Sequence, residues 1–530
     1  MNSFSDAGSL LPPRHLNFTW LAVAILLLAL FNPAAGRGAE TAQQSTPSQN
    51  SSGVAGERKT AGDAYLKNDD LENAADAYIS ALDLARGSFS VAERIQMATA
   101  LSWADRLARA EHELRSVLAI EPDNLEARIR LARVLSWRGE VTDAVSEADR
   151  ALRQAPDDRA ALQIKADALQ WKGELGRALP LYEELVKRQD DFDARLGLSY
   201  SLLYAGNRMV AEQSSRQLTP TTTNQQSRFS KFQDTFDGIT RPRLDLQYSY
   251  FNDSDGNVLN RYGAAQSFWI DNFDFALKYR HTEAKNDDDR RNRGEDISFK
   301  AYTKPTESYG LGASVGFTQL AARGGVSNFP NGQIKFDVKV PNGSVGGSVT
   351  REVLTESAEL IDNRIRTTVA ALQWSQQLTD RISVQPAYSY LSFSDVNHAH
   401  AAQLTSQYLL FFNPKLAIGH RFSYKNFDRQ SHSGYFDPND YYSNRFFVTF
   451  YKEQDRFYLF SDTFVGQQAF RRNGVGSKDL VYGGSGSIGY RPFRNLVLEF
   501  SVEGGQVASA TASSSAYSYL VLGPRLWIRF

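Results

Sequence analysis

Two periodicities divide this chain of 530 residues. Between about Gly62 and Arg216 similar residues return with a period near 34. Ala98, Ala132 and Ala166 mark it, with Leu101, Leu135 and Leu169 three positions on, then Trp103, Trp137 and Trp171. Ala110, Ala144 and Ala178 occupy the matching places in the segments that follow, two of which end at Pro122 and Pro156. Beyond about residue 240 the period drops to two. Phe273, Phe275, Leu277 and Tyr279 alternate with Asp274, Lys278 and Arg280, and Leu496, Leu498, Phe500 and Val502 with Glu499, Ser501 and Glu503. The first spacing predicts helices and the second predicts strands with one apolar and one polar face.

The 34-residue pattern resembles the tetratricopeptide repeat. Small residues stand where two helices touch, turns fall near Asp105, Gly139 and Gly173, and a proline precedes the next hairpin. A weaker first copy carries Gly62, Tyr65, Ala74, Tyr78 and Ala81, and a weaker last one Ser199, Leu202, Tyr204, Gly206 and Ala211. The resemblance implies about four to five hairpins in a short solenoid with a concave docking face. The tryptophans are read mainly as inter-helix core, with stacking of sugar on an exposed ring as the other reading.

About sixteen alternating segments follow, starting near 242, 258, 272, 295, 307, 329, 343, 362, 381, 399, 415, 441, 456, 479, 495 and 517. Short connections such as Pro341-Asn342-Gly343 and Asn413-Pro414 alternate with long ones expected at 283–294, 319–328, 428–440 and 466–478. That rhythm predicts a transmembrane barrel with short turns at one end and longer loops at the other. The last segment places Leu520, Leu522, Leu526, Ile528 and Phe530 on one face, and a terminal Phe resembles the signal read by the barrel-assembly machinery. The fold class is therefore α + β in two domains, an α-solenoid followed by an antiparallel barrel. The expected boundaries are a signal peptide at 1–39, a disordered linker at 40–57, repeats at 58–216, a second linker at 217–240 and the barrel at 241–530.

Composition agrees. Hydrophobic residues at 42% and a mean hydropathy of -0.42 exclude a polytopic helical membrane protein but suit strands that alternate faces. The absence of cysteine excludes disulfide scaffolds, thiolate metal sites and cysteine nucleophiles. Arg14 and His15 precede an apolar run from Phe18 to Phe31, followed by Ala34-Ala35-Gly36, which reads as an export signal, with an inner-membrane anchor as the alternative. Net charge is -1, so nothing points to nucleic acid. From Arg241 onward 32 Lys and Arg face 28 Asp and Glu, too small an excess to choose between a neutral and an anionic polymer.

No catalytic motif rises above background, and no enzyme activity, cofactor or metal is expected. His398 and His400 share a strand face and Asp287-Asp288-Asp289 adjoins Arg290, Arg291 and Arg293, yet a solvated outer loop explains the latter better. Repeats fused to a barrel of this size resemble the export porins of bacterial exopolysaccharide systems, the cellulose-synthase outer-membrane subunit and the poly-N-acetylglucosamine porin. Gly434-Tyr-Phe-Asp-Pro-Asn-Asp-Tyr-Tyr442 resembles a Gly-Tyr-Phe-Ser-Pro-Gln-x-Tyr stretch of the cellulose-type barrel, with Asp437 and Asn439 in place of Ser and Gln. The resemblance implies an outer-membrane protein whose periplasmic repeats recruit polysaccharide or partner proteins and whose barrel conducts the polymer. Candidate lumen contacts, by alternation, are Asp245, Asp274, Arg421, Ser423, Lys425, Glu499, Glu503, Arg525, Trp527 and Arg529; any one of them could instead brace the wall through ion pairs. The alternative function is a membrane-anchored scaffold with a non-conducting barrel.

Overall fold

The computed structural model describes residues 49–287, 290–306, 308–431, 433–507 and 517–530. The export signal and the start of the first linker lie outside the described residues, as do Asp288 and Asp289. The described chain forms two compact units that part between Ala168 and Leu169.

The first unit contains α1 (Gln49–Lys67), α2 (Leu71–Ala85), α3 (Val91–Trp103), α4 (Leu107–Ile120), α5 (Leu125–Trp137), α6 (Val141–Gln154) and most of α7 (Arg159–Trp171). Side-chain caps start helices: Ser90 and Glu93 form a reciprocal capping box, and Asn124 Oδ1 accepts from Ala127 N at 2.9 Å. The first helix of each hairpin stops at a residue of positive φ, Asp105 (60°) or Gly139 (78°). There the next amide reaches back to the last turn, Arg106 N to Leu101 O and Glu140 N to Leu135 O, both at 2.9 Å. Ala98, Ala110, Ala132, Ala144 and Ala166 are fully buried, so the spacing identified in sequence is the hairpin seam.

Two features depart from expectation. The linker expected to reach residue 57 gives way to α1 at Gln49, because α1 packs: Ala55 is buried, and a methyl added at Gly62 would sit 2.6 Å from the Tyr78 ring. The tryptophans are not core. Trp103 and Trp137 end α3 and α5 and are 52% and 41% exposed, and Trp171 ends α7 at 56%. Ala, Leu and Ser fill the tight seam, leaving no volume there for an indole.

The second unit begins with α8 (Leu175–Arg188), α9 (Phe192–Tyr204), α10 (Arg208–Ser215) and α11 (Thr223–Thr240). The span 217–240, expected as a linker, is thus mostly helix. Its Thr, Gln and Ser content hides Phe229, Phe232 and Phe236 at helical spacing, and Phe232 is buried edge-on against Tyr200, ring centroids 4.9 Å apart.

The barrel opens with β1 (Arg243–Asp253), β2 (Val258–Ile270), β3 (Phe273–Lys285) and β4 (Arg291–Thr306). It continues with β5 (Tyr309–Ala322), β6 (Gly325–Val340), β7 (Gly343–Val353) and, past α12 (Ala358–Asp362), β8 (Arg366–Gln377). Then come β9 (Ile382–Phe393), β10 (His398–Phe412), β11 (Lys415–Phe427) and β12 (Asn439–Gln454). β13 (Phe457–Arg472), β14 (Val475–Phe493), β15 (Leu496–Gln506) and β16 (Ser518–Arg529) complete it. Each strand pairs with its neighbours in antiparallel order and β1 closes on β16, with Leu246 opposite Leu526, so no edge is left unpaired. One face carries exposed Leu246, Phe299, Ile334, Leu404, Phe446 and Phe500 and faces lipid; the alternate residues line the lumen.

Several loops expected to be long are short. The stretch 319–328 narrows to a turn at Arg323-Gly324, and 466–478 to Asn473-Gly474, whose φ values of 52° and 75° suit a tight hairpin turn. The strands run on past the roughly 9–11 residues a bilayer needs, because ladder hydrogen bonds persist in water. The longer connections among the described residues, at 354–365 and 428–438, lie at the end of the barrel remote from Arg243 and Arg529.

Candidate functional site

The lumen is built by the alternation that creates the lipid face. Register places every candidate from the sequence on the lumen face. Asp245 lies beside Arg525, whose Nε donates to Asp245 Oδ1 at 2.9 Å, and the Arg525 guanidinium stacks 4.7 Å from the Trp527 ring. Tyr458 donates to Glu499, and Tyr519 to Glu503 at 3.3 Å. Across the lumen wall on β11 and β12, Ser423 stands opposite Ser443 and Arg421 opposite Arg445. Arg421 lies 5.1 Å from the Phe447 ring, Arg445 5.0 Å from Phe464, and Lys425 4.6 Å from Phe427. Asp245 and Arg525 therefore brace the wall and Asp274 ties it to α10, whereas Arg421 has no ion-pair partner among the described residues.

At the proximal end, where β1 begins and β16 finishes, helices of the same unit meet the lumen rim. Arg208 of α10 donates to Asp274 at 2.7 Å and lies 5.4 Å from the Trp269 ring. Arg529 lies over Gly238 of α11, and Arg494 pairs with Asp234 at 2.8 Å. A cavity of about 240 Å³ opens here, bounded by Tyr204, Arg208, Asp274, Tyr302 and Lys304 among others. It combines aromatic faces with donors and acceptors, which is the chemistry that receives a sugar ring.

The distal end is covered from within. α12 turns its apolar side onto lumen-facing residues: Ala358 and Ile361 cluster with Phe251, Leu259, Ala284 and Leu320. Asn292 Nδ2 donates to Ala358 O at 2.6 Å, and Arg290 pairs with Asp362 at 3.1 Å. The 428–438 connection covers the next sectors. Tyr435 stacks on Phe393 at 4.4 Å beside Leu360 and Phe427, while Phe436 packs edge-on against Phe470 at 5.0 Å. Tyr435 also donates to Asp395 Oδ2 at 2.8 Å, and Asp437, fully buried, pairs with Arg472 at 3.1 Å. Burial would raise the Asp395 carboxyl, but hydrogen bonds from Ser433, Tyr435 and Ser431 hold it below the ordinary carboxylate range. Burial and the neighbouring Asp395 push the Tyr435 hydroxyl well above the usual phenol range. The Gly434–Tyr442 stretch singled out in sequence thus anchors a distal cap.

His398 and His400 lie on the lipid face, hydrogen-bonded through Nδ1 to Tyr390 at 2.9 Å and Tyr388 at 2.6 Å. Such ring pairs suit the aromatic girdle of a membrane interface. Sequence reasoning missed a second pattern. Arg94 and Arg128 stand 34 residues apart, as do Glu113 and Glu147, and each Arg pairs with its Glu, at 3.1 and 2.8 Å. Charged residues recurring at the repeat period were the available signal.

Fold and site together define a membrane-spanning β-barrel carrying tetratricopeptide repeats, the architecture of an outer-membrane protein. Residues 101–168 match the tetratricopeptide repeat family. No curated protein matches the sequence. Among solved structures, a bacterial polysaccharide outer membrane secretin is similar over 55% of this chain and 99% of its own, at 12% identity and a TM-score of 0.44. The CymD monoaromatic hydrocarbon channel is similar over 56% of this chain and 91% of its own, at 11% identity and a TM-score of 0.33. A MamA RS-1 double mutant covers 35% of this chain and 97% of its own, at 16% identity and a TM-score of 0.26.

Proposed function

We propose that this protein exports an exopolysaccharide across the outer membrane, with its repeats in the periplasm. The observation that carries the reading is the lumen itself: a closed wall of cations stacked on rings and hydrogen-bonded carboxylates, leading from an aromatic proximal cavity to a cap made of loops. Transport needs many weak, replaceable contacts, which stacking and hydrogen bonding to solvent-exchanged groups supply. The exposed Trp103, Trp137 and Trp171 offer the repeats a means of engaging sugar or a partner protein before the barrel. No chemical step is assigned to the chain. On this reading the repeats and the proximal end share the periplasmic side and the cap faces outward, a placement with which an even number of strands is consistent.

The test is sugar analysis of washed cells and medium from a strain lacking the gene and from its parent. Loss of one surface polymer, restored by the intact gene but not by residues 58–216 alone, supports export. The cap favours a second reading, in which a closed barrel anchors a periplasmic scaffold. An unchanged polysaccharide profile, with no current through the full-length protein in a planar bilayer after the cap is loosened by Leu360→Ser and Tyr435→Ala, would establish that reading instead.

A further inference from the structure

Net charge of the chain does not distinguish a neutral cargo from an anionic one, but the distribution of partners inside the lumen does. The lumen carboxylates are matched. Asp245 is held by Arg525 and Asp274 by Arg208. Asp296 accepts from Thr318 at 2.8 Å and Asn331 at 2.7 Å, Asp337 from Tyr302 at 2.9 Å, and Asp462 from Thr449 at 3.1 Å. Several lumen cations are not matched. Lys278 and Lys300 face the lumen on adjacent strands, and neither has an ion-pair or hydrogen-bond partner among the described residues. Lys335 follows on β6; it is paired, 3.8 Å from Asp337, and lies over the Tyr302 ring at 4.4 Å through space left open at Gly312. Both Lys278 and Lys335 are like-charged neighbours of Lys300.

On the β11–β12 wall the same theme recurs with arginine. Arg421 and Arg445 are directly opposite in register, an arrangement that is destabilising for like charges. Stacking on Phe447 and Phe464 orients both guanidinium groups, and Arg445 spends hydrogen bonds on Ser443 at 2.8 Å and Tyr441 at 3.1 Å. Arg421 has Asp462 as a charged neighbour but no bonded acceptor, and its Nε is buried and unsatisfied. The wall's acids already accept hydrogen bonds, whereas Lys278 and Lys300 in one sector and Arg421 in another have no bonded acceptor among the described residues, so the donors left open to whatever occupies the passage are cationic.

We infer that the polymer carried in this lumen is anionic, a polysaccharide bearing carboxylate, phosphate or sulfate groups, and that Lys278, Lys300, Lys335, Arg421 and Arg445 are its stepwise contacts. The inference rests on the export reading. Each anionic group would exchange between neighbouring cations that bind it only through the open lumen, so affinity stays moderate and movement is preserved.

The test is calorimetric titration of the full-length protein in detergent micelles with three probes of matched length: an oligogalacturonate, a neutral maltooligosaccharide and a cationic chitosan oligomer. The oligogalacturonate should bind, more weakly as salt rises, and the neutral and cationic probes should bind at least about tenfold less well. Arg421→Gln with Arg445→Gln, and separately Lys278→Gln with Lys300→Gln, should each weaken it about tenfold. The fast gel migration of unboiled barrel confirms that each variant is folded; a pair that fails this check is replaced by Arg421→Lys or Lys300→Met, for which Lys should rescue and Met should not. Equal binding of the neutral probe, preference for the cationic one, no binding of any probe, or variants that bind like the parent protein would overturn the inference. Export fails separately: a deletion strain that keeps all its surface polymers refutes export whatever the lumen binds, and loss of an uncharged polymer leaves export standing while refuting an anionic cargo.

Discussion

The repeats and the barrel solve the burial problem in opposite senses. In the repeat unit, small apolar residues meet inside and charge is admitted only in pairs such as Arg94–Glu113. In the barrel, large apolar residues such as Phe446 and Ile334 are the exposed ones and charge collects within. The same substitution should therefore have opposite consequences in the two regions. What distinguishes a core from a surface here is the medium that each face meets, lipid or water.

The largest expected effect breaks the repeat side of the comparison. Glu113 is fully buried among Arg86, Arg94 and Arg109, so Glu113→Ala leaves cationic groups without their acid and should cost about 3–5 kcal/mol. The loss would be read as the denaturant midpoint of the helical signal, with the barrel signal unmoved. Next, two adjacent positions on β10 sharpen the barrel side. Leu404→Arg puts charge into lipid and should cost about 2–4 kcal/mol, whereas Gln403→Arg enters the lumen and should stay within about 0.5 kcal/mol. Reversible folding into lipid vesicles measures both, and equal penalties would contradict the assignment of faces.

Tyr435→Phe in the distal cap removes the donor to Asp395 and an acceptor for Asn397, and should destabilise the cap by about 1–3 kcal/mol, seen as faster amide exchange over 428–438. The Asp395 carboxyl is lowered in the folded cap, so its contribution is present above its unfolded pKa and fades as pH falls through the folded one. Cap exchange should accelerate on acidification in the parent and be flatter with pH in Asp395→Asn. The smallest effect is a gain. Asp105 holds a φ of 60°, where Gly139 stands in the next hairpin, and Asp105→Gly should stabilise the repeats by about 0.5–1 kcal/mol in the same denaturant measurement.

Much of this was legible in order. Alternation and turn residues predicted the sixteen strands, their faces and the lumen candidates, because a strand's side chains have a period of two whatever surrounds them. The alanine seam and the Gly139 turn followed from spacing in the same way. What composition obscured was helix α11, whose three phenylalanines lie within a polar stretch, and the outward placement of Trp103, Trp137 and Trp171. An indole can fill a core or stand at its margin with the same neighbours in sequence.

By itself the sequence determined which residues are buried with which along each element, since local periodicity is a property of the chain. Only tertiary structure decided the rest. Residues far apart in sequence are brought together: Tyr435 on Phe393, Asp437 on Arg472, Arg208 on Asp274 and Arg421 opposite Arg445. Whether a charge finds a partner depends on strand order, register and where a loop folds back, and no short-range pattern encodes those. For that reason the total of 32 cations and 28 acids was uninformative, while the pairing among them separates braced wall from unmatched cations.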